Sequence, residues 1–169
     1  MPAGALSTLS IPRDLVYPSL AFYHQKLMRL YVPVNSLNSS DPISELLRSA
    51  KTIAVVGLSS NPLRPSHEVA SYLQSTGYKI IPVNPNESEV LGQKAYARLE
   101  DIPVPVDIVD VFRRPEEVTP VADSAIAIHA KALWLQLGIR NEPAAAKAHD
   151  AGLLVVEDAC LLVEHKRRR

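Results

Sequence analysis

The sequence of 169 residues contains a single cysteine, Cys160, which excludes an intramolecular disulfide framework and a metal site built from several cysteines. Neither sign of charge is in excess, because 18 Lys and Arg residues balance 18 Asp and Glu residues. This balance argues against a general nucleic-acid binder, which carries a strong basic excess. No apolar run approaches the roughly 20 residues that span a bilayer. The 47% hydrophobic content instead predicts one domain with a single good core.

Residues 1–40 differ from the rest, since they are rich in Ser, Pro and Asn and contain only one acid, Asp14. Three hypotheses stay open: a disordered or loosely docked extension, a cleaved targeting peptide, or an extra element packed on the domain. Scarce acids are typical of a mitochondrial presequence, whereas the prolines interrupt any long amphipathic helix and leave room for a short one over 19–31. We expect a cytoplasmic protein, with a mitochondrial location as the alternative.

From Asp41 onward, short apolar runs alternate with segments of helical spacing. The runs that we interpret as strands are 52–57, 78–84, 107–112, 131–138 and 153–158. The predicted helices are 42–50, 66–76, one from Pro115 onward, 142–150 and a short piece at 161–163.

This alternation predicts an α/β fold, a Rossmann-like doubly wound parallel sheet of three layers in a single domain. We place the domain at residues 41–165, after the N-terminal extension 1–40. The four residues 166–169 are all basic, and we expect them to form a frayed, solvated tail.

The stretch VVGLSSNPLRPSHEVASYL, residues 55–73, reads as a buried strand, a glycine turn, a polar loop and a helix. Gly57 permits a sharp turn, and the N-terminus of the helix adds a partial positive charge, so the stretch predicts an anion site. An arginine in the loop can make charge-assisted contacts to phosphate. The candidate binding residues in this stretch are Gly57, Leu58, Ser59, Ser60, Asn61, Arg64 and Ser66.

Ligands of open α/β sheets bind beyond the carboxyl ends of the strands, so the ends of the other strands complete the candidate site. These further candidates are Val83, Asn84, Pro85, Phe112, Arg113, Gln136 and Gly138.

Two features that the sequence lacks limit the class of ligand. The glycine pattern of dinucleotide-binding sites is missing, and no carboxylate follows the second strand until Glu87. Asn84, which stands there instead, does not repel a nearby phosphate. An adenine nucleotide with a phosphorylated ribose, as in coenzyme A or NADP, is therefore better accommodated than NAD.

From Lys51 to His165 the chain resembles the stand-alone CoA-binding domain proteins, relatives of the N-terminal CoA-binding domain of the succinyl-CoA synthetase α-subunit. The motifs that carry the resemblance, besides residues 55–73, are GYKIIPVNPN, VLGQKAY, LEDIPVPVDIVDVFRRPEEV and LWLQLGIRNEPAAAKAHDAGL. One departure is His129, where the family usually has glycine.

The resemblance implies a Rossmann-like fold that binds coenzyme A. It implies that Gly57 to Arg64 hold the pyrophosphate and that Pro82 to Pro85 lie against the adenosine. Phe112, Arg113 and the segment 134–138 would line the rest of the groove.

We identify no catalytic residue and no metal ligand in the sequence. Asp107 and Asp110 lack the spacing of a catalytic pair, and Trp134 is interpreted as a core residue. For His67 a ligand contact stays open. Cys160 is expected to be a small core hydrophobe, with a mixed disulfide to coenzyme A as the alternative.

The sequence thus predicts a protein that binds coenzyme A or acyl-CoA without catalysis of its own, although enzymatic activity is not excluded. One alternative is an oxidoreductase-like protein that binds NAD(P). The other is a CoA-sensing regulatory or scaffold protein, with residues 1–40 as the element that contacts a protein partner. The oligomeric state is not predicted.

Overall fold

The computed structural model describes residues 41–169. The three hypotheses for residues 1–40, including the short helix over 19–31, fall outside the described residues. In residues 41–169 no helix has both the length and the apolar character needed to cross a membrane.

Five parallel strands form the central sheet, in the order β2-β1-β5-β6-β7. A separate antiparallel pair, β3 and β4, lies in the long connection after β2. The strands are β1 (Thr52–Val56), β2 (Lys79–Val83), β3 (Glu89–Val90), β4 (Gln93–Lys94), β5 (Ile108–Val111), β6 (Ala132–Leu135) and β7 (Leu154–Val156).

Helices cover both faces of this sheet. They are α1 (Pro42–Ser49), α2 (Pro65–Ser75), α3 (Val118–Ala127), α4 (Glu142–Asp150) and α5 (Leu161–Arg167), with 3-10 turns at Leu99–Asp101 and Pro115–Glu117. Two of these helices begin at a capping side chain: Asp41 accepts a hydrogen bond from the first turn of α1, and Asn141 does the same for α4.

Two hydrophobic cores result, because alternate residues of each strand point to opposite faces. Ile53 and Val55 pack with α1, α2 and α5, whereas Ala54 and Val56 pack with α3 and α4. Trp134 is completely buried in the first core, which confirms its interpretation as a core residue. The three-layer Rossmann-like architecture is confirmed.

Strand order reverses next to β1, which has β2 on one side and β5 on the other. The carboxyl ends of β1 and β5 therefore form the topological switch point, where open α/β sheets bind their ligands. Beyond β2, Tyr96 forms an isolated parallel bridge with Val83.

The structure corrects one part of the description of residues 166–169 as a frayed, solvated tail: Lys166 and Arg167 are helical, while Lys166, Arg167 and Arg169 are exposed as expected. Helix α5 continues to Arg167, well past the short piece predicted at 161–163. Only 14% of the Arg168 side chain is exposed, because its guanidinium pairs with Asp41 at 2.6 Å and also with Glu164.

His129 is an exposed residue with a positive φ of 56° in the turn before β6. Glycine adopts this conformation without a steric penalty, which accounts for the glycine expected at this position. The histidine is thus part of a turn.

Candidate functional site

Gly57 lies at the switch point, directly after β1. Its φ is 86°, and its N–H donates to the carbonyl of Val83 at 2.9 Å. A Cβ atom at this position would lie 2.5 Å from the carbonyl oxygen of Phe112. Both the backbone conformation and the crowding therefore require glycine.

The larger of two cavities at Gly57 has a volume of about 430 Å³. Apolar side chains form part of its wall and charged side chains form part of its rim. Its lining residues are Val56, Gly57, Val83, Pro85, Ala97, Arg98, Leu99, Glu100, Arg113, Glu116, Glu117, Pro120, Val121 and Ser124. The volume and the mixed lining suit a nucleoside.

A second cavity of about 310 Å³ also borders Gly57 and is predominantly polar. It is lined by Gly57, Ser59, Arg64, Pro65, Ser66 and Phe112. All six except Pro65 are predicted site residues. The loop after β1 and the first turn of α2 thus form a polar recess next to the nucleoside-sized cavity.

Hydrogen bonds hold this loop in a defined shape. The N–H of Ser59 donates to Ser66 Oγ at 3.3 Å, and the N–H of Asn61 donates to Ser59 Oγ at 3.2 Å. The N–H of Leu63 donates to Asn61 Oδ1 at 2.9 Å. Three predicted binding residues therefore also organise the loop, which fixes the recess.

Asn84 and Glu87 connect the end of β2 to the same loop. Asn84 Nδ2 donates to the carbonyl of Leu58 at 2.9 Å, and Leu58 itself is completely buried. Glu87 Oε1 accepts hydrogen bonds from the N–H and the Oγ of Ser60, both at 2.9 Å. A carboxylate thus lies on two donors of the loop.

Two arginines bring positive charge to the cavities. Arg64 is exposed, and among the described residues its guanidinium forms no salt bridge. Arg113 lies on the rim of the larger cavity and pairs with Glu117 at 3.3 Å. Arg64 therefore has the guanidinium more readily available for a phosphate.

Gln136 and Gly138 are not brought to either cavity. Gln136 is buried, where its Nε2 donates to Asp110 Oδ1 at 2.7 Å and its Oε1 accepts from the N–H of Leu161. The N–H of Gly138 donates to Asp158 Oδ1 at 2.7 Å. Contact of these two residues with a ligand stays a prediction.

Asp110 is completely buried in the middle of β5, and its Oδ2 has no hydrogen-bond partner. Burial raises the pKa of this carboxyl to about 7, although the hydrogen bond from Gln136 acts in the opposite direction. The side chain lines neither cavity. Asp110 belongs to the structural framework, as predicted.

Asp107 is also structural, as predicted. Its Oδ2 accepts hydrogen bonds from the N–H groups of Lys51 and Thr52, and its Oδ1 pairs with Lys131 Nζ at 2.7 Å. Burial acts to raise the pKa of this carboxyl, but these partners outweigh it and lower the pKa to about 2.

His67 and Cys160 take no part in the two cavities. Cys160 is partly buried at the start of α5 and packs against the first hydrophobic core, in agreement with a small core hydrophobe. In the described part of the chain, no cluster of His, Cys, Asp and Glu side chains has the geometry of a metal site.

Sequence reasoning missed one wall of the larger cavity. The 3-10 turn Leu99–Asp101 and helix α3 supply it, with Arg98, Glu100 and Ser124 as its polar members. Ser124 Oγ donates to Glu100 Oε1 at 2.6 Å, so the wall is a connected unit. The motif LEDIP overlaps this turn and was the available signal.

An open parallel sheet, helices on both faces and a glycine turn at the switch point define a Rossmann-like nucleotide-binding domain. Residues 51–166 match the sequence model of the CoA binding domain family, and the chain belongs to that family. This confirms the resemblance inferred from the motifs, and it gives no support to NADP as the cofactor.

Similar proteins include both stand-alone chains and segments of larger enzymes. The uncharacterised protein YneT of Bacillus subtilis is 45% identical over 127 residues, covering 75% of this chain and 94% of YneT. A solved structure from Thermus thermophilus, cell-free ID.343, is 43% identical with a TM-score of 0.72, covering 74% of this chain and 95% of that chain. The ADP-forming acetate–CoA ligase II of Archaeoglobus fulgidus is 35% identical over 72 residues, 41% of this chain and 10% of the ligase.

Proposed function

We propose that this protein binds coenzyme A or an acyl-CoA at Gly57 and has no catalytic activity of its own. The observation that carries the proposal is the pair of cavities that meet at this glycine, one nucleoside-sized and partly apolar, the other polar. Membership of the CoA binding domain family supports the identity of the ligand.

The two cavities suggest how the ligand is divided between them. Pro85 and Val83 lie in the larger cavity, which we assign to the adenosine. Ser59, Ser66 and Arg64 lie in the smaller cavity, which we assign to the pyrophosphate. The N-terminus of α2 adds its partial positive charge there.

Titration calorimetry with coenzyme A, dephospho-CoA, NAD and NADP tests the proposal. Coenzyme A should bind most tightly. A preference for NAD or NADP over coenzyme A would contradict the assignment of the ligand.

Arg64→Ala tests the position of the pyrophosphate. A charge-assisted contact contributes about 1.5–3 kcal/mol, so coenzyme A should bind roughly ten- to a hundredfold more weakly. Adenosine should lose much less affinity, and the melting temperature of the free protein should change little. Arg48→Ala, an exposed arginine in α1, is the matched control. Equal losses for coenzyme A and adenosine would show that Arg64 holds the loop and not the phosphate.

A further inference from the structure

Glu87 occupies two donors of the phosphate loop. The N–H groups of Ser59, Asn61 and Leu63 donate to side-chain oxygens within residues 57–66, whereas the N–H and Oγ of Ser60 both donate to Glu87 Oε1. Glu87 belongs to the connection after β2, so its carboxylate reaches the loop from outside. At Ser60, therefore, a negatively charged group from outside the loop, the Glu87 carboxylate, is already bound.

The same arrangement occurs at Gly138, where it is reinforced. The N–H of Gly138 donates to Asp158 Oδ1, and Arg140 holds Asp158 Oδ2 at 2.8 Å. Among the described residues, Glu87 has no such cation within salt-bridge distance. In the described part of the chain, the carboxylate at Ser60 is therefore held only by the N–H and the Oγ of Ser60, two groups that can also donate to a phosphate.

We propose that Glu87 is a specificity-determining residue, which a phosphate group must displace from Ser60 before it can bind the loop. The inference rests on the proposed function. A ligand that also fills the larger cavity has additional contacts to offset this displacement. A small anion such as inorganic phosphate has none, so Glu87 excludes it. Adenosine alone does not compete with Glu87.

The test compares wild type with Glu87→Gln, which removes the charge and keeps the shape of the side chain. Coenzyme A and inorganic pyrophosphate should each bind roughly three- to tenfold more tightly to the variant, as expected for an exposed charged hydrogen bond. The affinity for adenosine should not change. Glu89→Gln is the matched control, because Glu89 lies exposed in β3 and makes no hydrogen bond to the loop.

Each other outcome is informative. If wild type binds coenzyme A and Glu87→Gln binds it no more tightly, this inference is wrong while the proposed function stands. Weaker binding by the variant would show that Glu87 holds the loop in its binding form, which also overturns the inference. If neither protein binds coenzyme A or pyrophosphate, the proposed function fails and the inference falls with it. Tighter binding of adenosine by the variant would show that the substitution changes the whole site and not only the contact at Ser60, which also overturns the inference.

Discussion

The two halves of the carboxyl edge of the sheet use the same local elements. In the β1–β2 half, Gly57 has a φ of 86° and Glu87 accepts a hydrogen bond from the N–H of Ser60. In the β6–β7 half, Gly138 has a φ of 79° and Asp158 accepts from its N–H. Each half thus has a glycine turn after a strand and a carboxylate from the connection that follows the next strand.

The halves differ in crowding and in countercharge. A Cβ atom on Gly57 would meet Phe112, whereas one on Gly138 would meet nothing within 4 Å. The hydrogen bond from Gly138 and the pairing with Arg140 lower the pKa of Asp158, so its carboxylate is fixed. The comparison shows that a glycine turn with a carboxylate does not by itself define a ligand site. The β1–β2 half also has two cavities and a carboxylate without a paired cation among the described residues.

The largest expected difference between the halves is the response of the two glycines to alanine. Gly57→Ala combines a positive φ with a close contact, which should reduce the free energy of unfolding by about 2–5 kcal/mol. Gly138→Ala has only the conformational penalty of about 1–2 kcal/mol. Urea unfolding of both variants measures the difference. Equal losses would mean that the chain around Phe112 moves aside, and that Gly57 is not a packing requirement.

Asp110 lies in β5, between the two halves, and accepts a hydrogen bond from Gln136, which directly follows β6. Native Asp110 keeps its proton up to about pH 7, whereas the unfolded carboxyl loses it near pH 4. The free energy of unfolding should therefore fall as the pH rises between these values, by about 2–3 kcal/mol from pH 5 to pH 8. Asp110→Asn removes this group, so the variant should gain that amount relative to wild type over the same interval.

Urea unfolding of wild type and Asp110→Asn at pH 5 and pH 8 checks this expectation. The difference between the two proteins isolates Asp110 from the other titrating groups. If the difference in stability is the same at both pH values, the buried carboxyl does not titrate in this range.

The smallest effect is expected from Arg140→Ala. This substitution removes the salt bridge to Asp158, so that the carboxylate of the β6–β7 half has no paired cation, like Glu87 in the other half. Because 72% of the Arg140 side chain is exposed, the melting temperature should fall by no more than about 4 °C. The affinity for coenzyme A should not change, since Arg140 lines neither cavity. A clear loss of affinity would mean that the β6–β7 half takes part in ligand binding.

The fold was predictable where local signals agree. Helix α4 has the bounds expected from the sequence, because Asn141 caps its start and Gly152 follows its end closely. The end of α5 was not predictable, since Arg168 is held by Asp41 at a distance of 127 residues along the chain. Four basic residues at the end of a sequence indicate solvent exposure unless such a partner is known.

The candidate site likewise contains some residues that the sequence predicted and others that it did not. Gly57 and the loop after it carry a local signature, and the structure brings Gly57, Ser59, Arg64 and Ser66 to one recess, which Leu58, Ser60 and Asn61 do not line. Gln136 was expected in the groove because it lies at the carboxyl end of the predicted strand 131–138, but its hydrogen-bond partner Asp110 lies on the neighbouring strand. Arg98 and Ser124 reach the larger cavity only through tertiary packing, and the motif LEDIP, which overlaps the 3-10 turn of the same wall, contains neither of them.

The bridge between Tyr96 and Val83 has a further consequence, for the behaviour of the protein in concentrated solution. Strand β2 is an edge strand, and an edge strand with free backbone groups recruits other chains into aggregates. Here the N–H of Tyr96 donates to the carbonyl of Pro82, and the N–H of Asn84 donates to the carbonyl of Tyr96, both at 2.9 Å. Pro82 has no N–H to offer on that side. The stretch of this edge at Pro82 and Asn84 is therefore covered by Tyr96, so those backbone groups cannot pair with a strand of another chain.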